Sequence, residues 1–166
     1  MKTSLTAFIL SLTASFAFAH GGVELGPNGG RILEFSKNET MHGEVTVKDG
    51  KFHIALLDKD KKPVEVEAQS LTATGGPRAK QKKIEVTKEA GGFALPVVKD
   101  GEWLILQFKE NDKAKAVTAR LEYNTEVCSE CKEPEWLCKC PPADEKKEGG
   151  KKGDAKAGTG DKKKEK

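Results

Sequence analysis

The sequence lacks several features that would place it in the large classes of helical, membrane and catalytic proteins. No stretch keeps an apolar period of 3.6 residues, so we expect few helices. No long apolar segment follows Phe18, so we expect no membrane span in the rest of the chain. No Ser/His/Asp ordering, H-E-x-x-H helix or phosphate-binding G-x-x-x-x-G-K-[ST] loop is present, which argues against an enzyme.

The body of the chain also lacks a strong charge of either sign. The formal charge is +3. Lys2 accounts for one of these charges, and residues 143–166 account for three more, with nine Lys against six acidic residues. Residues 20–142 therefore carry a net charge of −1, which gives little support to a nucleic-acid partner.

The first nineteen residues have the pattern of a secretory signal peptide. Lys2 supplies a positive start, residues 5–18 supply a short apolar core, and Ala17-Phe18-Ala19 supplies the small-x-small cleavage pattern. Cleavage there makes His20 the first residue of the mature protein. No cysteine lies at the cleavage site, so a lipoprotein anchor is not expected. The pattern predicts a periplasmic or secreted protein that does not span the membrane after processing.

Residues 20–125 have the composition of an all-β domain. Short runs of β-branched and apolar residues alternate with turn sequences, which predicts an antiparallel, immunoglobulin-like β-sandwich of seven or eight short strands. A Cys-rich knuckle (126–142) follows. A Lys/Gly-rich tail (143–166) has too little apolar surface to fold and is predicted to be disordered. The predicted strands are 31–35, 42–48, 51–57, 64–68, 83–87, 92–98, 102–109 and 115–123.

One hairpin can be assigned a register. A two-residue turn at Asp49-Gly50 pairs Val47 with Phe52 and Val45 with Ile54, which places both apolar pairs on one face. The opposite face then points to solvent and carries His42, Glu44, Thr46, His53 and Ala55.

The histidines indicate a copper site. A mature N-terminal His20 offers its free amine and its ring, a chelate that suits Cu(II), unless a histidine follows the cleavage site only by chance. His42 and His53 lie about 13 Å apart along the hairpin, at about 3.3 Å per residue, so at most one of them joins His20. His42 is the preferred partner, because the neighbouring Met41 adds a thioether that accommodates Cu(I).

Several short motifs resemble those of known envelope proteins. HGG at 20–22, GPNGGRILE at 26–34, ALLD at 55–58 and KPV at 62–64 resemble the β-domain associated with periplasmic heavy-metal efflux adaptors. The overall plan is similar to copper-resistance protein C and related copper carriers. The resemblance covers about residues 20–123. It implies metal handling in the periplasm and envelope metal-efflux components as partners.

The four cysteines form the densest chemical motif, C-x2-C-x6-C-x-C. Four thiolates can hold Zn²⁺ or Cu(I), whereas an exported chain with an even cysteine count also favours two disulfides, and reactive thiols are the third alternative. If disulfides form, Cys128–Cys138 with Cys131–Cys140 closes the more comfortable loops. Trp136, between the two pairs, is positioned to dock the knuckle onto the sandwich.

Two functions remain open from the sequence. The first is an exported transition-metal binding protein, with copper as the metal, that acts as a carrier, buffer or resistance accessory in the cell envelope. The second is a non-catalytic envelope structural or interaction domain whose knuckle is stapled by disulfides. Neither is an enzyme.

Overall fold

The computed structural model describes residues 23–140. The predicted signal peptide, His20, Pro141, Pro142 and the predicted tail lie outside the described residues. None of the described residues forms a helix long and apolar enough to cross a membrane.

The described chain folds into two antiparallel sheets, which confirms the prediction of an all-β sandwich. One sheet has the order β1-β2-β3-β7-β6, and the other has the order β5-β4-β8-β9. Apart from one 3₁₀ turn at Glu135–Leu137, residues 23–140 contain no helix. The nine strands are β1 (Arg31–Glu34), β2 (Met41–Lys48), β3 (Lys51–Asp58), β4 (Ser70–Gly76), β5 (Lys82–Ile84), β6 (Thr87–Glu89), β7 (Gly92–Pro96), β8 (Glu102–Lys109) and β9 (Val117–Tyr123).

The β2–β3 hairpin has the predicted register. Val45 lies opposite Ile54 and Val47 lies opposite Phe52. The turn residues Asp49 and Gly50 have φ of 52° and 72°, the positive values that a type I′ turn requires at both central positions. The local sequence therefore determines this hairpin.

The core lies between the two sheets, where alternate residues of each strand meet. On β8, for example, Leu104, Leu106 and Phe108 are almost fully buried while the residues between them are partly or fully exposed. Phe108 stacks on Phe35 from the chain after β1, with ring centroids 4.7 Å apart. This packing is the period-2 pattern of a half-buried strand.

The predicted strand at 64–68 is wrong, and β4 lies further along the chain. Val64 and Val66 lie on a segment that crosses from one sheet to the other, and their side chains pack against the core. These β-branched residues therefore belong to no strand, although their residue type favours one. Strand β4 (SLTATGG) was missed because Leu71 is the only large apolar side chain among its buried positions and the alternate positions are polar. Its apolar alternation is therefore weak.

The expectation that His42 and Glu44 face solvent is also wrong. His42 is 5 % exposed and Glu44 0 %. Residues 23–30, here called the N-terminal strap, lie over Glu44 on the outer face of the first sheet. The carboxylate of Glu44 accepts hydrogen bonds from the backbone N–H of Asn28 and Gly30 (2.7 and 2.9 Å) and from the Asn28 side chain (2.8 Å). Position 26 must be glycine, because a Cβ there would lie 2.4 Å from Glu44 Cδ.

Candidate metal centre

The first two cysteines lie in a tight backbone loop after β9. Val127 and Pro134 form an isolated bridge that closes the loop. Inside it, the Cys128 N–H donates to the Glu133 carbonyl (2.9 Å), and the Lys132 N–H donates back to the Cys128 carbonyl (3.0 Å). Lys132 has φ of 66°, a left-handed residue that reverses the chain directly after Cys131. The reversal brings Cys128 and Cys131 to one side of the loop.

The second pair of cysteines follows the 3₁₀ turn Glu135–Leu137. The Leu137 N–H donates to the Pro134 carbonyl (2.8 Å), and the Cys138 N–H donates to the Glu135 carbonyl (3.1 Å). Cys138 itself is extended, with φ of −69° and ψ of 123°, so Cys140 lies two residues along an extended chain. This geometry carries both thiols back toward the first pair.

The four thiols meet at one point. All four Sγ atoms lie within 4.8 Å of one another. The contact between Cys128 and Cys140 measures 3.9 Å, and that between Cys131 and Cys138 measures 3.6 Å. A metal–sulfur bond of about 2.3 Å in a tetrahedron implies a sulfur–sulfur edge of about 3.8 Å. The cluster therefore has the dimensions of a four-thiolate metal site and can hold a metal ion.

Backbone N–H groups, neighbouring thiols and burial shift the pKa values of three thiols in this cluster. The N–H groups of Cys131 and Glu130 point at the Cys128 sulfur and lower the pKa of that thiol to about 7, because they stabilise the thiolate. The N–H of Cys140 acts in the same sense on Cys138, but the adjacent Cys128 thiol and burial outweigh it and raise the pKa of Cys138. Contact with the Cys138 thiol and partial burial raise the pKa of Cys140 to about 12. A cation at the centre would offset this crowding of negative charge.

The described structure contains no disulfide. A disulfide needs its sulfurs about 2.05 Å apart, and neither measured contact approaches this length, so all four cysteines are free thiols. The contacts also join Cys128 to Cys140 and Cys131 to Cys138, whereas the sequence predicted the crossed pairing for a disulfide form. All four sulfurs lie within 4.8 Å of one another, and the two sulfur–sulfur hydrogen bonds among them are nested, with the one between the second and third cysteines inside the one between the first and fourth.

The knuckle (described as far as Cys140) is docked onto the sandwich by Trp136, as its position between the cysteine pairs predicted. Trp136 is 6 % exposed, and its ring lies 5.5 Å from Tyr123 and 6.5 Å from Phe52. Arg31 at the start of β1 donates to the Trp136 carbonyl (3.3 Å), and desolvation of this guanidinium lowers its pKa. The N–H of Val23 in the N-terminal strap donates to the Cys138 carbonyl (3.3 Å). The cysteine knuckle thus contacts both the core and the strap.

His42 and His53, predicted as alternative partners of His20, each contact a carboxylate. His42 Nδ1 lies 2.7 Å from a carboxylate oxygen of Glu34, and His53 Nδ1 lies 3.5 Å from one of Glu89. Within residues 23–140, only the four cysteines form a group of three or more metal-binding side chains. Sequence reasoning missed both glutamates. Pairing β1 with β2 would have identified Glu34, because it lies directly opposite His42.

Comparison of the chain with protein-family models, with curated proteins and with solved structures gives no match. The geometry of the cysteine cluster is therefore the main structural indication of function.

Proposed function

We propose that this protein is an exported metal-binding protein of the cell envelope, where it acts as a carrier, buffer or resistance accessory for a thiophilic transition metal. The observation that supports the proposal is the meeting of four cysteine sulfurs within 4.8 Å, with contacts of 3.6 and 3.9 Å that match the edges of a metal–thiolate tetrahedron. Export is supported by the predicted signal peptide alone.

Zn²⁺ is the ion that fits the centre best. Four thiolates at tetrahedral spacing complete its usual coordination, and the backbone N–H groups directed at Cys128 and Cys138 match the negative charge that the thiolates bring. Cu(I) is the rival occupant, because it also selects soft sulfur ligands. A closed set of four ligands leaves no open coordination position for a substrate, which supports a non-catalytic role.

Metal titration of the reduced, processed protein tests the proposal. We expect one Zn²⁺ per chain, measured by competition with a chromophoric chelator and by elemental analysis. Cys131→Ser should weaken binding by at least roughly 100-fold, more than the loss expected from a residue outside the ligand set. Ser129→Ala, in the same loop, is the matched control and should bind as the wild type does. A reduced protein that takes up neither Zn²⁺ nor Cu(I) would overturn the proposal.

The amine of a mature N-terminal His20 is proposed as a separate Cu(II) site. Its support is the cleavage pattern before His20 and the preference of Cu(II) for nitrogen ligands. Of the possible third ligands, His42 is buried against Glu34, and His53 is only half-buried beside Glu89. Adding one residue before His20 keeps the ring but displaces the free amine. Equal Cu(II) affinity of the extended and the processed protein would refute this site.

The second candidate function is a disulfide-stapled interaction domain, which an even number of cysteines in an exported chain favours. Intact mass measured after acid denaturation separates the two candidates. Two disulfides lower the mass by about four hydrogen atoms, whereas thiols released from a metal keep them. Protein isolated from its own envelope with the lower mass, and without metal, would favour the interaction domain.

A further inference from the structure

Each of the two sulfur contacts joins a buried cysteine to a partly exposed one. Cys128 is 7 % exposed and contacts the more accessible Cys140 at 3.9 Å. Cys138 is 9 % exposed and contacts the more accessible Cys131 at 3.6 Å. The cluster therefore has two thiols that a reagent from solvent can reach, and each is in contact with a different buried thiol.

We infer that the centre is a redox switch in which metal binding and disulfide formation are two states of the same four sulfurs. This inference rests on the proposed metal-binding function. An external disulfide oxidant converts the thiolates into the nested disulfides Cys128–Cys140 and Cys131–Cys138 and expels the ion. An oxidising compartment, which the predicted export implies, supplies oxidants of this class.

Each pair is oxidised in two thiol–disulfide exchange steps. The exposed thiolate of Cys140 attacks one sulfur of the oxidant, forms a mixed disulfide and releases the other sulfur as a thiolate. Cys128 then attacks Cys140 Sγ and displaces the remaining oxidant sulfur as a second thiolate. Two electrons pass from the pair to the oxidant. Cys131 and Cys138 repeat the sequence with a second oxidant molecule.

Loss of the ion follows from the loss of thiolate ligands. A disulfide sulfur carries no negative charge, and the metal ligand form of cysteine is the thiolate. Oxidation of one pair leaves two ligands instead of four, so the ion dissociates. The sulfurs of each pair must then close by roughly 2 Å to reach bonding distance, a local movement within the knuckle.

Oxidation of the zinc-loaded, processed full-length protein by glutathione disulfide tests the inference. We expect zinc release, followed with a chromophoric chelator, to accompany the formation of two disulfides per ion, and a reductant to restore zinc binding. Cleavage after Glu130, Lys132 and Lys139 separates all four cysteines into different peptides, so mass spectrometry can distinguish the nested pairing from the crossed one. Crossed disulfides, or release of zinc without disulfides, would overturn the inference.

Two double variants supply matched controls. Cys128→Ser/Cys140→Ser leaves the contacting pair Cys131 and Cys138, whereas Cys128→Ser/Cys138→Ser leaves the crossed pair Cys131 and Cys140. We expect the contacting pair to form its disulfide faster by on the order of tenfold, because its sulfurs are already aligned. Equal rates would contradict the predicted pairing.

The experiment also separates the inference from the proposed function. If the reduced protein binds no metal before any oxidant is added, the metal-binding proposal fails. If it binds zinc but retains it in the presence of glutathione disulfide with all four thiols intact, the metal-binding proposal stands and the redox switch is refuted.

Discussion

Replacement of Trp136 by alanine tests whether the metal centre and the sandwich core stabilise each other. The indole is 6 % exposed and packs against the rings of both Phe52 and Tyr123. Truncation of a buried Trp typically lowers the free energy of unfolding by about 3–5 kcal/mol. Because the same residue lies between the two cysteine pairs, its docking also orients the thiols. We therefore expect the loss to depend on whether zinc is bound.

A thermodynamic cycle relates the losses of unfolding free energy with and without zinc to the change in zinc affinity. In the zinc-loaded protein the knuckle is held in place, and we expect Trp136→Ala to remove about 4 kcal/mol of unfolding free energy. In the metal-free protein no ion ties the two cysteine pairs together and docking is weaker, so we expect a loss of about 2 kcal/mol. The difference of about 2 kcal/mol corresponds to roughly 30-fold weaker zinc binding by the variant.

Denaturant unfolding with excess zinc and with a chelator measures both losses, and zinc competition measures the affinity. Trp103→Ala is the control, because Trp103 is only partly buried on β8 and lies under Arg78 rather than beside the cysteines. We expect it to cost less and to leave zinc affinity unchanged. Equal losses for Trp136→Ala in both metal states, with unaltered zinc affinity, would refute the coupling.

Three further predictions follow from the strap, the hairpin and the thiols. Glu44→Leu leaves the strap N–H groups without acceptors and should cost about 2–4 kcal/mol of unfolding free energy. Glu44→Gln keeps an acceptor and should cost less. Equal losses of the two variants in denaturant unfolding would show that these hydrogen bonds do not hold the strap. Gly50→Ala should destabilise by about 1 kcal/mol, because φ there is 72°; an unchanged unfolding midpoint would contradict this. Raised pKa values keep Cys138 and Cys140 protonated at neutral pH, so zinc binding releases at least these two protons. The logarithm of the apparent affinity should therefore rise by at least about two per pH unit from pH 7 to 8, and a flat profile would contradict it.

Local patterns in the sequence predicted the parts of the fold that depend on neighbouring residues. The turn at Asp49-Gly50 specified the β2–β3 register, because only a few residue types accept positive φ at both positions. The prediction failed for β4, where Ala73 lies between Thr72 and Thr74 and gives little apolar signal. It also placed a strand at 64–68, where Val64 and Val66 lie on a segment that crosses between the sheets instead. The physical reason is that strand propensity reports packing against neighbours that the sequence does not reveal.

The metal centre was predicted only as a set of ligands. Four cysteines within thirteen residues indicated a metal site or two disulfides, but spacing alone did not separate these alternatives. The tertiary structure brings the four sulfurs within 4.8 Å of one another, with nested hydrogen-bond contacts rather than the crossed pairs expected. This arrangement depends on the left-handed reversal at Lys132 and on the docking of Trp136 against the core.

The sequence by itself determined the all-β class, the β2–β3 hairpin and the identity of the sulfur ligands, because these depend on side-chain chemistry and on residues close together in the chain. The tertiary structure decided which polar groups are buried. Glu44 is enclosed because residues 23–30 fold over a face that alternation alone assigns to solvent. It also placed His42 beside Glu34 and outside the cysteine cluster. This contact joins two adjacent strands, so it forms only when the sheet assembles and the buried imidazole needs a hydrogen-bond partner.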